Sequence, residues 1–359
     1  MSRECWGRGN SATLWLGELG AVGEPEEHGW ERSAGGPRFR FKLSVAKRER
    51  RQHEQIKQGR CGEPAENDNR HRPFGFYVLT SDGVLHTVAD GSGVDLQAPV
   101  KFLGANAHAS NLIAIPEDND KWHSYVVYTA TSDNCGGVKN GVWAINLADD
   151  AKPIAHFETG ASPVGDPAFS TDGTVFVAVG KGPAGSAYSN AIVALAPKSL
   201  TVKDWFTAPN ADFTSGPTVI KHGDKELVAA ATKDGRIYLL DAASLGGSDH
   251  KTAMFVSPAY STAKTDYAPQ ALAAWQDADH VDWILEPFAG AGPGGVSSNG
   301  KVTNGGLVAL KLTDDGAKVA LTPGWVSQDM ISPLPPVAVN GVVFAASSGE
   351  YYPAAGKSV

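Results

Sequence analysis

Cysteine is scarce in this chain: three in 359 residues. Cys5 and Cys61 lie far upstream and Cys135 stands alone in the body of the sequence, so no disulfide framework follows from spacing. There is no apolar run of about 18 residues, which excludes a membrane-spanning helix. No basic region followed by an apolar core opens the chain, so no secretory leader is visible. Arginine almost vanishes after residue 72, where Arg236 is the last of the chain's 12. His-Glu-x-x-His spacing, a Gly-x-Ser-x-Gly elbow and a Cys-x-x-Cys-His haem run are all missing, and with them the commonest zinc-hydrolase, serine-hydrolase and cytochrome signatures.

The arginine boundary divides two unlike pieces. Residues 1–72 carry 14 Lys/Arg against 11 Asp/Glu, and residues 73–359 carry 17 against 28, so a formal net charge of −8 hides a basic leader on an acidic body. Ala46 to Arg60 is charged and has no strand alternation. Such a stretch is a basic arm for nucleic acid or an acidic membrane surface, or else a solvated leader. Its interleaved glutamates and the acidic remainder argue against an electrostatic footprint, so no nucleic-acid partner and no membrane span are expected. Residues 1–72 are expected to be a disordered or non-native leader, and 73–359 the folded unit.

What the body does have is a repeat. A proline opens a short apolar run, an Asp-Gly or Asn-Gly turn reverses it, and a second apolar run follows. Pro167-Ala-Phe-Ser-Thr-Asp-Gly-Thr-Val-Phe-Val-Ala, Gly216 through Ala231, and Ser332 through Ala346 are three copies. Repeats of roughly 40–50 residues built from four short strands indicate propeller blades. The expected fold is all-β, a propeller of four-stranded antiparallel blades. The first blade supplies only strands B, C and D (74–80, 84–88 and 97–103), with strand A missing. Four complete blades follow, at 111–157, 167–207, 217–256 and 269–326. A sixth starts at Pro333 and stops after two strands.

Several third and fourth strands carry a family resemblance. Arg236-Ile-Tyr-Leu-Leu-Asp-Ala-Ala-Ser-Leu-Gly resembles the signature strand of the PQQ-type propeller repeat, the blade of the quinoprotein alcohol dehydrogenase-like fold. Gly141-Val-Trp-Ala-Ile-Asn and Gly306-Leu-Val-Ala-Leu-Lys match its first half. Trp205 and Trp325 sit in fourth strands, where that family places the tryptophan that docks one blade on the next. The resemblance covers roughly residues 74–350 and is closest to uncharacterised bacterial PQQ-binding-like propellers. It implies an extracytoplasmic (periplasmic or secreted) setting and a ring that usually has eight blades. This chain has material for about five, so an incomplete ring with an apolar face at each end is expected.

Connectivity marks one face for binding. In a four-stranded meander the B–C loops and the D–A connectors share a side, and here the B–C loops are the unequal ones. Asp133, Asn134 and Cys135 in the second blade's loop form the sharpest cluster, an acceptor, an amide and a thiol beside two glycines. They suit a cation or polar ligand, or equally a turn with a small packed side chain. Glu350 occupies the corresponding loop of the last blade. Asp234 and Arg236 read as a turn residue and a strand-edge charge. The Gly290–Gly305 loop contains Gly-x-Gly-x-x-Gly, but no helix follows to face a pyrophosphate, so it is no dinucleotide site.

The resemblance also raises PQQ with calcium as a cofactor. Catalytic members hold the quinone against adjacent cysteines, with calcium set by Glu and Asn and an Asp as base. No adjacent cysteine pair exists here, and no motif places the other three. A scaffold that binds a protein or small-molecule ligand on the B–C face is therefore preferred. A quinone-dependent dehydrogenase with part of its active site outside this chain is the alternative.

Overall fold

A computed structural model describes residues 13–14, 75–89, 92–116, 125–208, 212–261, 267–314 and 318–349. Its regular structure is almost wholly strands, joined into successive antiparallel sheets. The first sheet orders β1 (Thr13–Leu14), β2 (Gly75–Leu79), β3 (Val84–Ala89) and β4 (Val100–Lys101). The place of strand A, expected to be empty, is thus taken by a distant segment: Thr13 pairs with Leu79 and Leu14 with Val78. Edge backbone groups attract any extended partner, whatever its distance along the chain.

In the second blade, β5 (His108–Ala109) and β6 (Ile113–Pro116) both pair with β7 (Tyr125–Ser132), which continues to β8 (Gly141–Asn146) and β9 (Ile154–Glu158). The third is β10 (Pro163–Phe169), β11 (Val175–Val179), β12 (Ala191–Leu195) and β13 (Val202–Thr207). The fourth is β14 (Thr218–His222), β15 (Lys225–Ala231), β16 (Ile237–Asp241) and β17 (Phe255–Val256). The fifth comprises β18 (Ala273–Gln276), β19 (Asp282–Ala289), β21 (Gly305–Asp314) and β22 (Val319–Val326). Its outer edge gains β20 (Ser297–Ser298), parallel to β22. Among the described residues the sixth sheet has two strands, β23 (Val337–Val339) and β24 (Val342–Phe344), joined at Asn340-Gly341.

The second and third strands of the blades read as continuous apolar runs because both their faces are covered. Val175, Val177 and Val179 of β11 pack with Val126, Tyr128, Val142 and Ala144 of the blade before. The alternate residues Phe176 and Ala178 pack with Val228, Ala230 and Leu240 of the blade after. The same division recurs in β15, where Leu227, Ala229 and Ala231 turn instead towards Ile284, Phe288, Val308 and Leu310. A fourth core joins Tyr77, Leu85 and Phe102 to Leu112, Val127 and Ile145. Each fully buried side chain of this kind contributes roughly 1.5–3 kcal/mol. Register is tightly specified, since a one-residue slip would send every side chain to the wrong seam. Five blades packed in sequence through four cores make an all-β propeller array.

Polar bridges cross the seams as well. The Thr171 backbone N–H donates to Glu226 Oε1 at 2.8 Å, the Leu245 N–H to Asp204 Oδ2 at 2.9 Å, and the Lys198 N–H to the Tyr128 hydroxyl at 3.2 Å.

Candidate binding face

Second strands run from the A–B turns at one end to the B–C loops at the other. At the B–C end lies an open cavity of about 1000 Å³, walled by segments of the second to sixth blades. The second and third blades contribute B–C residues, Asn134 with Asn140 and Gly180 to Pro183. The D–A connectors supply residues 160–165, 212–214, 267–270 and 332–334. The shared side expected from connectivity is therefore where the cavity forms. Loop length is a poorer guide. Residues 290–305 are absent from the wall, because that loop bends outward to lay β20 on the blade's outer edge.

The wall is mostly small residues, glycine, alanine, serine and proline among them. Lys181 and Asp212 are its charged groups, Asn134, Asn140 and Gln270 its amides, and Phe213 and Tyr267 its aromatics. The Tyr267 hydroxyl donates to the Pro333 carbonyl at 2.8 Å, tying the connector before the fifth blade to the sixth sheet.

The expected cluster is separated by its own turn. Asp133 and Asn134 both adopt left-handed backbone, with φ 62° and 49°, a conformation Asn and Asp accept more readily than most residues. Asn134 closes the loop on itself. Its N–H donates to Asn140 Oδ1 at 2.9 Å, and its Oδ1 accepts the Asn140 N–H at 3.2 Å. It thus reaches the cavity wall with its side chain already engaged. Cys135 is buried and disulfide-bonded. This corrects the reading of Cys135 as a lone thiol, since a disulfide sulfur offers neither a thiolate nor an S–H group. Glu350 lies outside the described residues.

Asp133 meets residues that sequence alone left scattered. His108 Nδ1 lies 2.8 Å from Asp133 Oδ2 and 3.2 Å from Ser132 Oγ, and the serine hydroxyl donates to the same carboxylate oxygen at 3.3 Å. Carboxylate and hydroxyl both meet the same ring nitrogen. A serine relay needs the acid on one imidazole nitrogen and the hydroxyl on the other, so this cluster can hold a polar group but does not activate Ser132. Beside it, Asn111 donates to Asp166 through its backbone N–H at 3.2 Å and Nδ2 at 2.8 Å, joining the inner strands of two blades. Among the described residues no three His, Cys, Asp or Glu side chains come together as metal ligands.

Asp234 and Arg236 behave as read from the turn: Nε donates to Asp234 Oδ2 at 2.8 Å, and Thr232 Oγ1 to Oδ1 at 2.7 Å. One group went unnoticed. Glu286, in the middle of β19, is fully buried and neither carboxyl oxygen has a partner. Burial, then the charge of Asp234, pushes its pKa well above the usual carboxyl range. The Tyr260 hydroxyl, raised to about 12 by burial and then by Glu286, is buried near Ser257 without a hydrogen bond of good geometry. A lone Glu in the run Ile284-Leu-Glu-Pro-Phe288 was the available signal.

No protein-family model matches the chain, and no curated protein does. The PQQ-type assignment drawn from the third strands is therefore without a matching family model. Many solved structures share a likeness, two of which serve as examples. One is BBS1N in complex with ARL6DN, at 14% identity and TM-score 0.39, covering 59% of this chain and 52% of that one, so the chain spans about half its length. The other is a chain of the mitotic checkpoint complex, at 12% identity and TM-score 0.41, covering 78% and 70%. Neither likeness bears on activity, and the architecture stands on strand order and seam packing. Among the described residues, no helix is long and apolar enough to cross a membrane.

Proposed function

We propose that this chain is a binding module that takes an extended polypeptide segment of low net charge into the cavity at the B–C end. The carrying observation is the wall itself. Among the described residues its one cation and one anion cancel, and the remaining polar groups are amides, hydroxyls and main chain. Such a wall matches the alternating donors and acceptors of a peptide backbone, and its prolines and Tyr267 suit apolar side chains. PQQ with calcium does not fit this wall. A tricarboxylate quinone needs several cations and calcium needs a carboxylate cage, whereas among the described residues the wall has one cation, Lys181, and one carboxylate, Asp212. The disulfide at Cys135 supports the extracytoplasmic setting, because such bonds persist where thiols are not kept reduced.

Selection of a displayed peptide library on the protein, followed by measurement with Gln270→Trp, tests the reading. Gln270 is exposed on the cavity wall, so the indole would occupy ligand space without entering a core. Selected peptides should bind the variant at least about tenfold more weakly, a change of about 1.4 kcal/mol. Undiminished binding would remove the cavity from the account.

A further inference from the structure

We propose that Glu286 is a proton-operated latch on the seam between the fourth and fifth blades: as a neutral acid it lets the seam close, and as a carboxylate it loosens the seam and the cavity wall beside it.

The geometry requires one of these two states. Glu286 is 0% exposed, and both carboxyl oxygens are buried without a hydrogen bond. An ionised carboxylate in such a place loses its hydration and gains nothing in return, whereas a neutral acid loses far less. The flanking strands offer no compensation. β15 and β16 present Ala229, Ala231, Ile237 and Leu239 to this seam, and β21 presents Val308 and Leu310. The groups acting on it are Asp234 from the fourth blade's turn, with Tyr260 and Tyr267 from the connector. None is a cation. Arg236 is turned to Asp234 instead, at 2.8 Å.

The consequence reaches the cavity through that connector. Tyr260 belongs to the seam's core and Tyr267 to the cavity wall, and both hydroxyls are raised by burial and by Glu286. The Ser261 hydroxyl, on the same connector, accepts the Ala289 N–H at 3.2 Å, three residues beyond Glu286. A carboxylate at Glu286 would strain the strand and connector together.

A carboxyl whose folded pKa is raised favours folding fully below its unfolded value, and the advantage falls as pH rises towards the folded value. Between those two values the opening equilibrium gains about tenfold per pH unit. The test is amide exchange at 227–231 and 282–289, taken as the ratio of wild type to Glu286→Gln so that the intrinsic pH dependence cancels. The ratio should climb by about tenfold per pH unit from about pH 4.3 upward. A ratio independent of pH would overturn the proposal. Should the glutamine variant fail to fold, Glu286→Leu serves as the non-ionising reference. Infrared spectroscopy of the wild-type protein provides a second measurement, which should show a neutral carboxylic-acid band at pH 7 that the variant lacks. Lack of that band would equally overturn the latch.

Discussion

His250 lies flat on the indole of Trp205, ring centroids 3.7 Å apart and planes 15° from parallel. The imidazole Nδ1 also reaches the Trp205 carbonyl at 3.0 Å and Asp204 Oδ1 at 3.0 Å. Trp205 belongs to the third blade's fourth strand, and His250 leads into β17 of the next blade. Stack and hydrogen bonds together clamp one outer edge to its neighbour. Trp143 and His156 repeat the stack within the second blade, at 3.8 Å and 14°.

The clamp predicts non-additive losses. Trp205→Ala and His250→Ala should each lower the denaturant midpoint, with a coupling of about 0.5–1.5 kcal/mol in the double-mutant cycle. Additive effects would mean that the rings only sit side by side.

Gly141 and Gly305 open the third strands of the second and fifth blades, with φ of 153° and 154°. A Cβ on Gly141 would meet the Phe157 carbonyl oxygen at 2.0 Å, and one on Gly305 the Phe288 oxygen at 2.5 Å. Both obstacles are backbone and cannot swing aside. Each alanine variant should cost more than about 1 kcal/mol in a chemical melt, whereas Gly294→Ala, in open space and without a left-handed φ, should cost less.

Asp329 holds the end of the fifth blade's long loop. Its Oδ1 accepts the Thr303 and Asn304 N–H groups at 2.8 Å each, and its Oδ2 the Asn304 amide at 2.6 Å. Burial would raise its pKa, but these donors prevail and bring it down to about 2. A depressed carboxylate contributes stability above its unfolded value of about 3.9 and loses it as pH falls towards the folded one. Protection at residues 303–305, taken as exchange relative to the intrinsic rate at each pH, should therefore fall on acidification over that window, and Asp329→Ala should show low protection already at neutral pH.

Val337 pairs with Phe344 and Val339 with Val342, so the four side chains share one face of the sixth sheet, and each is about half exposed or more. In the other blades an equivalent face is covered by a neighbour. Contiguous apolar surface of this kind drives association. Sedimentation should show concentration-dependent self-association that Phe344→Lys reduces, without lowering the melting temperature.

Strand placement was legible because the period of two and the Asp-Gly and Asn-Gly turns agree along the whole body. The run Gly141 to Asn146 coincides with β8 residue for residue. Thr13–Leu14 and Ser297–Ser298 were not legible: two-residue strands carry no period, and their partners are fixed only by free edges. The end at which the cavity forms followed from connectivity, yet the chemistry of its wall did not. The cavity wall is made of connectors such as Pro163-Val-Gly and Tyr267-Ala-Pro, whose small and apolar residues carry no motif. Asp133 was found as a turn residue, but its histidine partner is 25 positions away. Glu286 hid in an apolar strand, where one charged letter looks like an exposed position.

The most direct test of the binding face is site-specific photo-crosslinking to a library-selected peptide. A benzophenone amino acid replaces Gln270 on the cavity wall in one sample and Asp224 in the A–B turn at the other end in a second. The account predicts crosslinked peptide from position 270 and none from position 224. Crosslinking from 224 with none from 270 would place recognition on the opposite face and contradict it.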